Sequence, residues 1–318
     1  MLFANPHARR RGYDASLKAV MNIAQGQESR QWLSAWSRLA PHPTPAWSLP
    51  GLAAQLGVGQ LVVKDESRRS TLGSFKVLGA PIALLRLILR RWPDRGWTPA
   101  DLFAGKHAQA LGGFVVISAT DGNHGRALAA AAQSIGCRCV IVLHAQVSEE
   151  REAPIAALGA EVVRIAGNYD ESVEEAARLA KANGWEVVSD TSYDGYEEVP
   201  RDVMQGYGIL ADELLENTAT GAPCPFTHVI VQGGVGGLAA GVVSHFWERY
   251  GAARPTFIVV EPEQADCLLQ SARSGKPDRA TGTVDSVMAG LACGETSPLA
   301  WRFLQPAGGP LSGNVVDL

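Results

Sequence analysis

Phe114-Val115-Val116-Ile117-Ser118-Ala119-Thr120-Asp121-Gly122-Asn123-His124-Gly125 is the stretch that decides the architecture. Phe114 to Ser118 is an apolar run of strand length, and Asn123 opens an alanine-rich stretch to Ile135 that reads as a helix. The turn between them lies at the carboxyl end of a strand and ahead of a helix, where ligands bind in open parallel sheets. Two readings of its polar residues stand side by side. Asp121 or Asn123 caps the helix, or Asn123 bonds a ligand ring oxygen while Asp121 transfers a proton. His124 reads as a structural hydrogen-bonding residue, because no second metal ligand stands at helical or strand spacing from it.

The alternation continues downstream. Cys139 to Leu143 reads as a strand, and Glu149 to Leu158 as a helix with Ser148 at its N-cap and Pro154 inside it. Glu161 to Ile165 is a strand, Glu171 to Ala182 a helix ended by Gly184, and Glu186 to Ser189 a further strand. Strands joined by helices through short connections predict a parallel sheet covered by helices on both faces. Asp190-Thr191-Ser192 follows the last of these strands, so its carboxylate is expected at the same rim as Asp121. Two carboxylates there suit alternative bases on opposite faces of a planar intermediate; equally, each suits a cap on its own turn.

After Pro200 a long helix is expected to about Asn217, then buried strands at His228 to Gln232 and Thr256 to Glu261. Gly233-Gly234-Val235-Gly236-Gly237 follows the first of these and opens a helix over Leu238 to Tyr250. Glycines let backbone N–H groups close around an anion, and a helix N-terminus adds partial positive charge. No lysine-serine or lysine-threonine pair follows, and the spacing fails the dinucleotide fingerprint, although Glu261 stands where a ribose-binding acid would. A compact phosphate is the better ligand, against the alternative of a glycine turn with no ligand.

Upstream, Thr71-Leu72-Gly73-Ser74-Phe75-Lys76-Val77-Leu78-Gly79-Ala80 sets one lysine before an apolar run. A helix carrying Phe75, Leu78, Ile82, Leu85 and Leu89 on one face is expected, kinked or restarted at Pro81. On the surface Lys76 is an ordinary solvated cation; in an apolar pocket, desolvation disfavours the ammonium and leaves a nucleophilic amine. Leu52 to Leu56 reads as a short helix stopped by Gly57-Val58-Gly59, Gln60 to Lys64 as a strand, and the first fifty residues as an ordered wrap.

Composition bounds the rest. At 318 residues, with 46% apolar and 19% charged, the chain fits a soluble globular protein of about two domains. A net charge of -4 and a pI near 6.0 argue against nucleic acid as a partner, and Arg9-Arg10-Arg11 reads as a solvated terminus. No run of about eighteen apolar residues predicts a membrane span. Met1 to Ala15 does not read as a signal peptide. The 5 cysteines form no C-x-x-C pair, which predicts reduced thiols in a cytoplasmic protein, with Cys137 and Cys139 packing at the start of a strand.

Ser74-Phe75-Lys76, Asp121-Gly122-Asn123-His124-Gly125 and the glycine run 233–237, in that order, resemble the fold-type II pyridoxal-phosphate enzymes. That group contains tryptophan synthase β-subunits and serine/threonine dehydratases. Within it the chain is most similar to the diaminopropionate ammonia-lyase family. The similarity is carried by Asn5-Pro6, Pro43-Thr44-Pro45, Lys64-Asp65-Glu66-Ser67, the run Asp190 to Tyr196, Met204-Gln205-Gly206-Tyr207, Met288-Ala289-Gly290-Leu291 and Cys293-Gly294. Asp121 stands where dehydratases ordinarily have serine or another small residue.

The resemblance implies an α/β fold of two three-layer αβα domains with mostly parallel sheets. Residues 1–78 and 188–318 would form a larger cofactor-binding domain, and 79–187 a smaller inserted one. It implies pyridoxal 5'-phosphate bound covalently by Lys76 beside Phe75, its ring hydroxyl bonded by Asn123, its phosphate held by Gly233, Gly234, Val235, Gly236 and Gly237, and no metal. Lys76, Asp121 and Asp190 would be catalytic, with Asp190 the base for L- and Asp121 for D-2,3-diaminopropionate, giving pyruvate and ammonia. A cytoplasmic homodimer acting on a small amino-acid substrate is implied, with neither nucleic acid nor membrane as partner. Cys267 and Cys293, flanking the substrate entrance, are a candidate disulfide. Two alternatives are a serine/threonine dehydratase-type lyase, and a relative whose activity is impaired by a shortened C-terminal part. Family members usually continue beyond the position of Leu318, supplying further sheet and the hydroxyl that meets the pyridine nitrogen.

Overall fold

The structure is a computed structural model that describes residues 2–120, 122–167, 169–307 and 312–315. Among them, ten strands fall into three sheets: β1 (Leu2–Phe3), β2 (Ala46–Ser48), β3 (Val62–Lys64), β4 (Val115–Ala119), β5 (Arg138–Leu143), β6 (Glu161–Arg164), β7 (Glu186–Val187), β8 (His228–Gln232), β9 (Thr256–Pro262) and β10 (Ser312–Val315). The chain divides into two compact units. One comprises Arg30–Val188 with Glu213–Asn217 and carries Lys76; the other comprises Met1–Ser29, Ser189–Asp212 and Thr218–Leu318 and carries the glycine turn.

In the lysine unit, β6, β5, β4 and β7 lie in that order as one parallel sheet. Its two inner strands, β4 and β5, are near-continuous apolar runs, as strands buried on both faces require, while the edge strands β6 and β7 carry Glu161, Arg164 and Glu186. Val115, Ile117, Val140 and Val142 meet Ala176 and Ala180 of the Tyr169–Asn183 helix on one face. The other face carries the Asn123–Ile135 helix, whose Gly125 sits so close to the sheet that a Cβ there would lie 3.6 Å from Ile141 Cδ1. Strand order runs outward from β4 to β5 to β6, then returns to β7 on the opposite side of β4. The reversal makes the carboxyl end of β4, where the Thr120–Asn123 turn lies, the switch point at which parallel sheets bind ligands.

Residues 30–78, expected with the larger domain, group here with 79–188. Trp36 stacks on Phe103 at 5.1 Å and donates its indole N–H to Ser134 Oγ at 3.0 Å. Lys64 and Arg69 both pair with Glu213. These contacts, invisible to local pattern, tie the antiparallel β2–β3 pair to the parallel sheet's unit.

In the glycine unit, β1, β10, β9 and β8 form the sheet, parallel between β10, β9 and β8 and antiparallel between β1 and β10. β8 spans the expected residues but is not a buried strand. It lies at the edge of the sheet, with His228, Ile230 and Gln232 on an exposed face and Ile230 65% exposed. The long helix expected after Pro200 is broken into Glu198–Tyr207 and Ile209–Leu215, and Pro200 falls in its first turn, where no N–H is missed. The break at Gly208 accommodates the Gly237–Tyr250 helix: a Cβ on Gly241 would lie 2.5 Å from the Met204 carbonyl oxygen.

Arg9-Arg10-Arg11 is not merely a solvated terminus. The Trp247 indole donates to the Arg11 carbonyl at 2.8 Å, and Arg254 donates to the carbonyls of Arg9 (2.6 Å), Arg11 (3.3 Å) and Ala307 (3.3 Å). Among the described residues, no helix is long and apolar enough to cross a membrane.

Candidate active site

Ser74 is extended (φ -149°, ψ 145°) and its hydroxyl accepts the Lys76 N–H at 3.2 Å, starting a 3-10 turn over Phe75–Leu78. A fresh helix then begins, Ala80–Arg91, with Pro81 in its first turn; the expected restart at Pro81 is what the chain does. Val77 and Leu78 are buried, as is nearly all of the following helix through Arg86, so the lysine backbone is anchored in core while its side chain remains partly buried. Its Nζ lies 5.5 Å from the Phe75 ring centroid, within cation–π range. The Phe75–Leu78 turn packs against the Asn123–Ile135 helix, so Lys76 and Asn123 belong to adjoining elements of one unit.

Asn123 is the first residue of its helix and exposed; its Oδ1 accepts from Arg126 at 3.4 Å. Among the described residues no side chain caps this helix, whose N-cap is Gly122, so the capping role offered to Asn123 is not one it performs. Asp121 lies outside the described residues. His124 is buried and its Nε2 donates to the Val188 carbonyl at 2.8 Å, fixing the turn after β4 to the end of β7. That is the structural role expected of it. Among the described residues, no cluster of His, Cys, Asp and Glu is arranged to hold a metal ion.

In the other unit, Asp190 begins a loop that closes on itself. Ser189 N–H donates to Tyr196 Oη at 2.9 Å, Tyr193 and Tyr196 exchange backbone bonds, and their rings stack at 4.7 Å. The glycine turn follows β8 and ends in Gly236 at φ 101°, the left-handed region that favours glycine, which serves as N-cap of Gly237–Tyr250 with no side-chain cap bond. The first N–H groups of this 14-residue helix therefore present donors and the positive end of its dipole toward the turn.

This turn fits a phosphate cradle. A Cβ on Gly233 would stand 2.5 Å from Leu268 Cδ1, and one on Gly234 would stand 2.9 Å from Cys293 Sγ, so bare backbone is required there. At Gly237 such a Cβ would meet Met204 Cγ at 3.4 Å and the Asp190 carbonyl oxygen at 3.7 Å, ordinary packing contacts. Val235 contributes its carbonyl inward, to the Ser297 N–H at 2.9 Å.

Glu261 takes the structural option. It is buried and accepts the N–H groups of Leu268 (3.0 Å) and Leu269 (2.6 Å) at the start of the Cys267–Ser274 helix, with both oxygens turned to backbone. Burial pushes its carboxyl pKa up to about 8 against the pull of those two bonds. The disulfide expected between Cys267 and Cys293 is absent. Cys267 turns to the Gly234 carbonyl at 3.5 Å, and burial pushes its thiol up to about 12, disfavouring the thiolate that disulfide exchange needs.

Sequence reasoning gives no role to Ser297, which the structure places between the Asp190 loop and the glycine turn. The available signal is Ser297-Pro298, a cap residue followed by proline at the start of a helix.

Residues 38–313 match the family model described as "Pyridoxal-phosphate dependent enzyme". The chain is 39% identical over 265 residues to diaminopropionate ammonia-lyase of Escherichia coli (strain K12), covering 83% of this chain and 65% of that protein. It is 37% identical over 305 residues to the same-named protein of Salmonella typhimurium (strain LT2), covering 94% of this chain and 75% of that one. The crystal structure of the holo form from Escherichia coli superposes with a TM-score of 0.85 at 34% identity, over 98% of this chain and 76% of that chain. The chain thus spans about two-thirds to three-quarters of the length of these relatives. It belongs to the pyridoxal-phosphate dependent enzymes, and among them to the family of the diaminopropionate ammonia-lyases.

Proposed function

We propose that this protein removes both amino groups from 2,3-diaminopropionate, of either hand, to give pyruvate and two ammonia. One water enters and the atoms balance. The observation that carries the reading is Lys76, held by Ser74 at the head of a buried apolar helix, as an amine that must bind a cofactor in a defined place should be. Pyridoxal phosphate, when bound, supplies the electron sink that makes the substrate Cα–H removable and the β-amino group expellable.

The chain's own residues do the rest. Lys76 holds the cofactor through its amine, with Phe75 beside it. The Gly233 N–H is spent on the Val260 carbonyl at 2.7 Å, so the backbone N–H groups of Gly234, Val235, Gly236 and Gly237 take the phosphate, with Gly233 giving the turn its close packing, and the Asn123 amide takes the ring hydroxyl. Asp190 accepts the Cα proton of the L-substrate, and Asp121 that of the D-substrate. A cytoplasmic homodimer belongs to the same proposal.

The test is spectroscopic and chemical. Protein loaded with pyridoxal phosphate should show a visible band that Lys76→Ala abolishes, and either enantiomer should yield pyruvate with twice as much ammonia. No visible band, or pyruvate from serine and threonine but not from diaminopropionate, would overturn the reading.

A further inference from the structure

Two buried hydroxyls join the loop of Asp190 to the glycine turn. Ser192 and Ser297, 4% and 1% exposed, set their Oγ atoms 2.8 Å apart. Ser192 N–H donates to Ser297 Oγ at 3.3 Å, and Leu299 N–H donates to Ser192 Oγ at 2.9 Å. Ser297 N–H in turn donates to the carbonyl of Val235, inside the glycine turn, at 2.9 Å. Its neighbour Thr296 bonds Ser271 Oγ at 2.9 Å in the helix that Cys267 begins, and Cys267 also reaches the Gly234 carbonyl. The first residue of the phosphate-facing helix touches the same loop: a Cβ on Gly237 would lie 3.7 Å from the Asp190 carbonyl oxygen.

A helix cap would explain only part of this. Ser192 Oγ does cap the Pro298–Ala307 helix through Leu299, but a cap needs neither the second hydroxyl nor the bond from Ser297 to Val235. With Tyr196 closing the far end of the loop onto Ser189, the position of Asp190 is fixed from both sides by bonds within one unit.

We propose that Ser297, acting through Ser192, is a positioning residue that sets the Asp190 carboxylate in register with the phosphate cradle. The inference rests on the reading above, in which Asp190 serves the L-substrate. It also carries a signature that a stabilising role lacks. The base proposed for the D-substrate, Asp121, follows β4 in the sequence and not the Asp190 loop, so loosening the Ser192–Ser297 joint acts on one enantiomer and spares the other.

The experiment compares Ser297→Ala with wild type in the cofactor-loaded full chain, measuring kcat and KM for each enantiomer. Alongside it, amide hydrogen exchange of residues 189–196 is followed without substrate. Misplacing a reacting group by about 1 Å can cost on the order of 100-fold. The expected result is a fall of about 10- to 100-fold in kcat for L-diaminopropionate, a change within about 2-fold for the D form, and exchange about 10-fold faster in the loop. Equal losses on both enantiomers, or no loss on either, or unchanged exchange, would overturn the proposal. If the alanine variant does not fold, Ser297→Cys keeps the volume while weakening the acceptor, and the same outcomes decide. Asp190→Asn is the control on the underlying reading. If it spares the L-enantiomer, the base assignment has failed and the positioning role falls with it; if it abolishes L turnover while Ser297→Ala changes nothing, only the positioning role has failed.

Discussion

Arg69 holds Glu213 through two parallel bonds, Nη1 to Oε1 at 2.6 Å and Nη2 to Oε2 at 2.8 Å, with both side chains 4% exposed. Lys64 reaches the same carboxylate at 2.5 Å, Glu66 takes Arg69 Nε at 2.9 Å, and Thr44 bonds Glu66 at 2.5 Å. Burial alone would lower the Arg69 pKa and raise that of Glu213, but the bonds between them outweigh it and move both the other way. The network is thus charged and satisfied, and removing one partner strands the others.

Glu213→Ala should therefore destabilise the protein by about 3–5 kcal/mol in urea or thermal unfolding. Arg69→Lys should also be costly, because an ammonium cannot reproduce the two-pronged contact. The Glu213 contribution is present above its unfolded pKa, near the ordinary 4.5, and is lost as pH falls through its lower folded value. An alanine variant as stable as wild type at neutral pH would show the network to be idle.

Glycine substitutions should separate folding from cofactor binding. Gly233→Ala forces a methyl to 2.5 Å from Leu268 and 2.6 Å from Val259, an overpacking worth about 1–3 kcal/mol of stability. Gly237→Ala meets nothing closer than Met204 at 3.4 Å, so its thermal midpoint should stay near wild type while its methyl presses on the Asp190 carbonyl beside the proposed cradle. Calorimetry and a pyridoxal-phosphate titration on both variants check the split; unchanged cofactor affinity in Gly237→Ala would argue against the cradle.

Glu261 predicts a pH dependence of known sign. Its folded pKa, near 8, lies above the ordinary 4.5, so the folded state binds more protons than the unfolded between those values. Stability from this group is full below about pH 4.5, declines as pH rises, and levels off above about 8. Glu261→Gln removes the titration. The difference in unfolding free energy between wild type and variant should move against wild type by a few kcal/mol across that window, losing on the order of 1.4 kcal/mol for each pH unit crossed. A flat difference would contradict the raised pKa.

His124→Phe should keep the ring volume but leave the Val188 carbonyl without its donor, costing about 1–3 kcal/mol. With cofactor bound, the visible band should survive, because the His124 ring is buried and turned to the Val188 carbonyl. Loss of the band at full stability would assign the histidine a role in the site.

Much of the lysine unit is legible in the sequence because local signals and global fold agree there. Asn123–Ile135 begins and ends where the sequence says, with Gly122 before it and Gly136 after it at φ 87°. The bounds of β8 are legible but its exposure is not, since Val229-Ile230-Val231 looks the same on an edge strand as in a sheet interior. The break at Gly208 is hidden because its cause is another helix, which brings Gly241 against Met204. The grouping of residues 30–78 depends on Glu213, 144 positions after Arg69, a distance that no local pattern spans. Of the candidate site, the motifs proposed to hold the cofactor are readable, and Ser297, whose bonds run to Ser192 and Val235, is not.

The carbonyl bonds that Arg254 gives to Arg9 and Arg11 have a consequence for biosynthesis. The acceptors leave the ribosome 243 residues and more ahead of their donor. At synthesis rates of about 5–20 residues per second, that is a wait of roughly 12–50 s. During that interval the lysine unit, continuous from Arg30 to Val188, can complete its own parallel sheet. The first segment of the glycine unit must meanwhile remain uncommitted, an interval in which a chaperone has access to it. Nascent chains arrested before Arg254 should therefore protect the parallel sheet from protease and leave residues 9–11 open.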